Sequence, residues 1–194
     1  MRNLSLDSAV TKLWGVLFGG AVWLIFGLIS VLLTPLTQYS SGIDLVYLPA
    51  GIRLYIILIT GVWGAIGIAL ANPILFILQL GNQSGFEVLI NSLICGFGPL
   101  IAVNAVRKIW GIDANLIELR PLHLPILALA VSVVTPLFFN ISFLAFNTKD
   151  AAHLLPNLSA MILGDFLGCI IVLVVIKTAI YIYRSRAKSN DSSK

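Results

Sequence analysis

The stretch that decides the fold is Leu45–Leu80, LVYLPAGIRLYIILITGVWGAIGIALANPILFILQL, 36 residues with a single charged side chain, Arg53. A helix needs about 20 apolar residues to cross the hydrocarbon core of a bilayer. The stretch therefore reads as one over-long helix or as two short ones joined by a tight turn. Gly61-Val62-Trp63-Gly64 stands at its midpoint, with glycines to make the turn and a Trp suited to a membrane interface. Charge decides between the two readings. With two helices here, the chain has six spans, the others being Leu13–Leu33, Phe86–Val106, Leu122–Phe146 and Asn157–Ile176. Ten of the twelve basic residues then fall on the cytoplasmic side: Arg2, Lys12, Arg107, Lys108, Arg120, Lys177, Arg184, Arg186, Lys188 and Lys194. A merged helix would invert everything after it and put most of those charges outside, against the positive-inside rule. The expectation is an all-α polytopic transmembrane bundle of six spans with both termini cytoplasmic.

Composition requires the same solvent. The 194 residues are 59% hydrophobic and 10% charged, with a mean hydropathy of +1.01. A soluble domain carries about 25% charged residues, and without them it has no polar exterior. Lipid must be the main partner. The net charge of +4 comes from basic residues scattered along the chain, which argues against nucleic acid and for cytoplasmic loops. Arg2 and Lys12 precede the first apolar run, but its length and the missing cleavage pattern mark an uncleaved span rather than a secretory signal. Residues 1–12 are then a cytoplasmic N-terminus, 13–183 the membrane domain, and 184–194 a polar, disordered cytoplasmic tail. Outer loops are expected at Thr34–Asp44, Gly81–Gly85 and Asn147–Pro156, and an inner loop at Arg107–Pro121.

Ionisable side chains inside a bilayer are costly, about 2.5–3.5 kcal/mol each on insertion scales, and each invites a functional reading. Two stand out, Arg53 in the second span and Asp165 in the sixth. Arg53 lies nine residues past Asp44 and Asp165 eight past Asn157, which at the helical rise puts both about 12–14 Å below the outer boundary. Two readings follow: an ion pair that locks two helices, or the wall of an outward-facing polar pocket. Asp44, Tyr47, Glu87 and Asn91 lie near the same outer level and would join such a pocket if the helix order gathers them. Pro49 and Gly51 open the second span, and Gly164 and Gly168 flank Asp165 at a four-residue spacing that permits close helix approach. Gly15/Gly19 and Ala65/Ala69 read as packing faces of the same type.

No chemistry beyond recognition is legible. Cys95 and Cys169 sit in apolar runs and read as small buried hydrophobes. Neither His123 nor His153 has metal-ligand spacing around it. No Ser/His/Asp arrangement, HExxH, CxxC or phosphate-cradling loop is present, so the sequence predicts neither an enzyme nor a bound cofactor or metal. The Asn-x-Ser triplets at Asn82, Asn140 and Asn157 are too short to carry weight.

Four segments resemble a known family. They are VYLPAGIRL (Val46–Leu54), TGVWGAIG (Thr60–Gly67), NSLICGFGPLIAVNAVRK (Asn91–Lys108) and LGDFLGCIIV (Leu163–Val172). In order and spacing over Val46–Ile176 they resemble the first type of bacterial membrane-associated sensor domain (MASE-type). That family has a Pro-Ala-Gly motif opening its second span, a Gly-aromatic turn, a middle span ending in basic residues, and a late Gly-Asp-x-x-Gly. The sequence departs from it in having six spans rather than about eight, Ile94 where a Glu is usual, and Arg53 where a small or apolar residue is usual. It also shows none of the family's kinase, cyclase or phosphodiesterase modules. The resemblance implies a sensory or ligand-recognition module of the bacterial inner membrane that binds a small ligand and signals through a separate cytoplasmic protein. A small transporter or substrate-capture subunit would use the same polar groups, and an assembly partner would need only the locked pair.

Overall fold

The computed structural model of the protein describes residues 3–40, 43–80, 84–111, 122–147 and 153–191. Within them the chain forms six helices and one small hairpin: α1 (Asn3–Thr37), β1 (Gln38–Ser40), β2 (Ile43–Asp44), α2 (Leu48–Thr60), α3 (Val62–Leu80), α4 (Gly85–Trp110), α5 (His123–Ala145) and α6 (Leu154–Asp191). Four stretches are long and apolar enough to cross a membrane: Ala9–Thr37, Gly85–Trp110, His123–Ala145 and Leu154–Tyr183. They mark the chain as a membrane protein. Leu45–Leu80 does divide into two helices, but both are shorter. At 1.5 Å per residue, the 13 residues of α2 reach about 20 Å, less than the thickness of the hydrocarbon core.

The break between α2 and α3 is a single glycine. Gly61 adopts φ 59°, ψ −132°, a backbone region closed to residues with a Cβ. Its N–H still donates to the Ile57 carbonyl at 2.9 Å, so the helix is capped as it turns. Trp63, just past the turn, takes the Lys12 ammonium over its ring at 5.4 Å. The turn therefore lies level with the charged start of α1.

Two segments differ from expectation. The stretch Thr34–Asp44, expected as a loop, begins with the last turn of α1 and continues as β1 paired antiparallel with β2. The pairing is tied to α1 by Thr37, whose Oγ1 donates to Asp44 Oδ1 at 3.1 Å and whose carbonyl accepts from the Leu45 N–H at 2.8 Å. At the other end, α6 runs on to Asp191, past the boundary expected at Arg184. No glycine or proline follows Gly168, and Arg, Ala and Lys all favour continuing a helix. The expected loop residues Asn82, 112–121 with Arg120, and 148–152 with Lys149 lie outside the described residues, as do 192–194.

The packing order is α1, α3, α4, α5, α6 along an arc, with α2 set inside it and touching all five. This central position explains the composition of α2. Pro49 through Leu54, with Ile56 and Ile57, are all buried, so this helix contacts protein where a lipid-facing helix would contact acyl chains. The core gathers around it from Trp23, Ile68, Leu127, Val131 and Cys169.

Candidate functional site

The site begins with a backbone contact. A Cβ on Gly164 would overlap the Asp44 carbonyl oxygen, and one on Gly168 would overlap that of Tyr47. The chain from β2 into α2 therefore lies directly on the glycine face of α6, held by the Tyr47 N–H donating to the Gly164 carbonyl at 3.0 Å. Gly51 continues the seam, since its Cβ would stand 2.6 Å from Val172 Cβ. Pro49 is buried at the head of the same helix. These close approaches bring the next turn of α2 against Asp165.

Arg53 Nη2 donates to Asp165 Oδ2 at 2.9 Å, with side chains only 2% and 8% exposed. On α4, Cys95 Sγ lies 3.7 Å from Nη1, and the Trp23 ring of α1 lies under the guanidinium at 5.9 Å. The Nε of Arg53 has no hydrogen-bond partner among the described residues. A second polar chain crosses beside it: Trp23 Nε1 donates to Asn72 Oδ1 at 3.2 Å, and Asn72 Nδ2 donates to Ser92 Oγ at 3.2 Å.

This pair is not sealed in packed protein. It lines a cavity of about 250 Å³ that reaches from the exposed Gln38 and the half-buried Asp44 of the hairpin down to the fully buried Arg53. Aromatic and aliphatic side chains, Phe76, Phe139, Phe143 and Ile43, form much of its wall, while Tyr47, Asn72, Cys95 and Asp165 add polar atoms. Every helix contributes to the lining. At the hairpin end, burial raises the Asp44 carboxyl above the ordinary carboxylate range, and the Thr37 hydroxyl partly opposes this by donating to it.

No protein family, no curated protein and no solved structure matches the chain. What the site can do must come from its own geometry.

Of the six polar residues singled out in the sequence, the cavity gathers four: Asp44, Tyr47, Arg53 and Asp165. Glu87 and Asn91 do not line it. Asn91 Oδ1 accepts from Ser142 Oγ of α5 at 2.8 Å, and the Glu87 backbone N–H is capped by Ser84 Oγ at 3.2 Å. The α4 face that carries Asn91 is spent on α5. Sequence reasoning passed over Trp23, Asn72 and the contact of Cys95 with arginine. Two signals were present: a Trp in mid-span, away from the interfaces where Trp collects, and an amide side chain, Asn72, in an otherwise apolar run. Chemically, the arrangement is a fixed donor and acceptor on the wall of an apolar, low-dielectric cavity, where hydrogen bonds and charges act more strongly than in water.

Proposed function

We propose that the chain is a ligand-recognition module of the bacterial cytoplasmic membrane. Its cavity opens outward, and a separate cytoplasmic protein reads its occupancy. The observation that carries this reading is the exposure of the Arg53–Asp165 pair to the cavity. A pair that only locked two helices would be best surrounded by packed side chains and fully satisfied. Here one buried arginine nitrogen is left without a partner among the described residues, and Arg53 and Asp165 both line a cavity. The resemblance of VYLPAGIRL and LGDFLGCIIV to membrane-associated sensor domains favours the sensory role, since those segments build the seam beneath the cavity.

Six crossings with both termini cytoplasmic is the topology we infer. Lys12 over Trp63 supports placing the α2–α3 turn at the inner face. The short α2 is lengthened by the stretch before it. Of residues 43–47, Ile43 and Asp44 are strand and Leu45 and Val46 are bends, so at about 3.3 Å each the two strand residues add about 7 Å. The backbone of Leu45 and Tyr47 is paired with Thr37 and Gly164, as non-helical chain at membrane depth must be. A small transporter or substrate-capture subunit would use the same cavity. Against passage, Leu54, Ile56 and Ile57 fill the path beyond Arg53 and are at most 3% exposed.

The cavity is tested by water access. Methanethiolsulfonates react with thiolates, which need water to form. With Cys95 replaced by Ser and Cys169 by Ala, Met161→Cys places a thiol on the cavity wall. It should react with methyl methanethiolsulfonate at least ten-fold faster than native Cys169, which is buried and does not line the cavity. Equal rates would sink the reading.

A further inference from the structure

The charges and the spare hydrogen-bonding groups on the cavity wall define what would fit there. We propose that the cavity takes a small uncharged amphiphile whose polar head presents an acceptor beside a donor, as an amide, lactam or ureide edge does. This inference rests on the recognition reading above and specifies its ligand.

Charge balance comes first. The deep wall holds one guanidinium and one carboxylate, already paired at 2.9 Å, and among the described residues the only other acid on the cavity, Asp44, stands at the hairpin end. An anionic ligand must share Arg53 with Asp165, which sets like charges side by side, or displace Asp165 and leave a buried carboxylate uncompensated. A cation meets the same difficulty against Arg53. Either outcome carries the penalty of an unpaired charge out of water. A head of zero net charge avoids both.

Hydrogen-bonding capacity comes second. A guanidinium offers five N–H donors in a fixed plane. Here Nη2 serves Asp165, Nη1 has only the Cys95 sulfur, a weak acceptor, and Nε has no partner among the described residues. Nε is itself fully buried, but Nη1 shares the outer edge of the plane with Nη2, so a weakly held donor sits next to the nitrogen that holds the carboxylate. An ionised carboxylate accepts at two oxygens and donates at none. The wall thus shows a donor beside an acceptor, and its complement is an acceptor beside a donor. A carboxylate lacks the donor and an ammonium lacks the acceptor. An amide edge has both, in one rigid plane.

Size and polarity set the remainder. Phe76, Phe139, Phe143 and Ile43 offer aromatic and aliphatic contact. The volume of about 250 Å³ is below the 300 Å³ at which pockets for drug-sized ligands begin. One ring with a short polar head is the right scale.

Three probes with a shared aromatic body, phenylacetamide, phenylacetate and phenethylamine, test this. Each is titrated against the Met161→Cys protein in detergent, and the slowing of its reaction with methyl methanethiolsulfonate is measured. Phenylacetamide should protect at concentrations at least ten-fold lower than either ion. Arg53→Lys, which keeps the charge but removes the planar fork, should abolish that preference. If an ion protects as well as the amide, if none of the three protects a reactive Met161→Cys, or if the lysine variant keeps the preference, the ligand class is wrong while the cavity stands. If Met161→Cys does not react, cavity and ligand class fall together. Should the lysine variant fail to fold, the three-way comparison with native Arg53 decides alone.

Discussion

Arg53 and Asp165 show how little room a buried pair leaves for partial change. Removing one partner strands the other charge in a low-dielectric interior, which costs about 3–5 kcal/mol. Arg53→Met or Asp165→Leu alone should destabilise the protein by that amount, measured as thermal unfolding in detergent. The double replacement removes both desolvation penalties and should recover most of the loss, while phenylacetamide protection stays abolished. Recovery of both together would reduce the pair to a packing device. Asp44 carries the pH prediction. Burial raises its folded pKa above the ordinary 3.8, so between the two values the folded state binds more protons than the unfolded chain. Its contribution to stability is fully present below about pH 3.8 and is lost as pH rises through the folded pKa. Asp44→Asn keeps an acceptor for Thr37 and should flatten that dependence, read as thermal midpoints from pH 4 to pH 8. An unchanged slope would assign the dependence to another group.

The elements meet through backbone. Gly164 and Gly168 are needed because carbonyl oxygens of the chain entering α2 occupy the space where their Cβ atoms would be. Gly164→Ala or Gly168→Ala must push that chain away from α6, at about 1–3 kcal/mol for an overpacked contact. The shift would also separate Arg53 from Asp165, since α2 moves with it. Gly85→Ala has nothing within 4 Å and should leave stability unchanged, which makes it the control in the same unfolding series. Gly61→Ala fails for a different reason. The space around it is empty, but its backbone angles exclude a Cβ, so the loss there would come from strain at the turn.

Across the whole molecule, α2 is a short central strut that touches all five other helices. If the hairpin end faces outward, Gln38→Cys in a background without native cysteines should react with an impermeant sulfonated reagent applied to intact cells. Val62→Cys, beside the Gly61 turn and 43% exposed, should react only when the cytoplasmic face is open. Labelling of Val62→Cys from neither side would place the turn inside the bilayer and make α2–α3 a re-entrant pair. The split-sensor reading belongs to this scale too. Affinity purification from native membranes in mild detergent should retain a cytoplasmic kinase or cyclase, and recovery of an energising subunit would favour transport.

Composition and run lengths alone determined that lipid is the solvent and helices the elements, because apolar runs of about 20 residues fit helical crossings, whereas a barrel strand needs only about 9–11 residues. The glycines at the centre of Leu45–Leu80 located the α2–α3 break, since a turn that tight requires a residue without a Cβ. Rise per residue put Arg53 and Asp165 at one depth. Azimuth was beyond reach: which face of each helix turns inward depends on packing between helices far apart in the chain. Depth grouped Glu87 and Asn91 with the pair, and packing turned Asn91 to Ser142 instead. Packing also drew in Trp23, Asn72 and Cys95, whose apolar runs do not say which face each helix turns inward. The cavity is likewise a tertiary result, because a void belongs to the fit of all six helices and has no residue of its own.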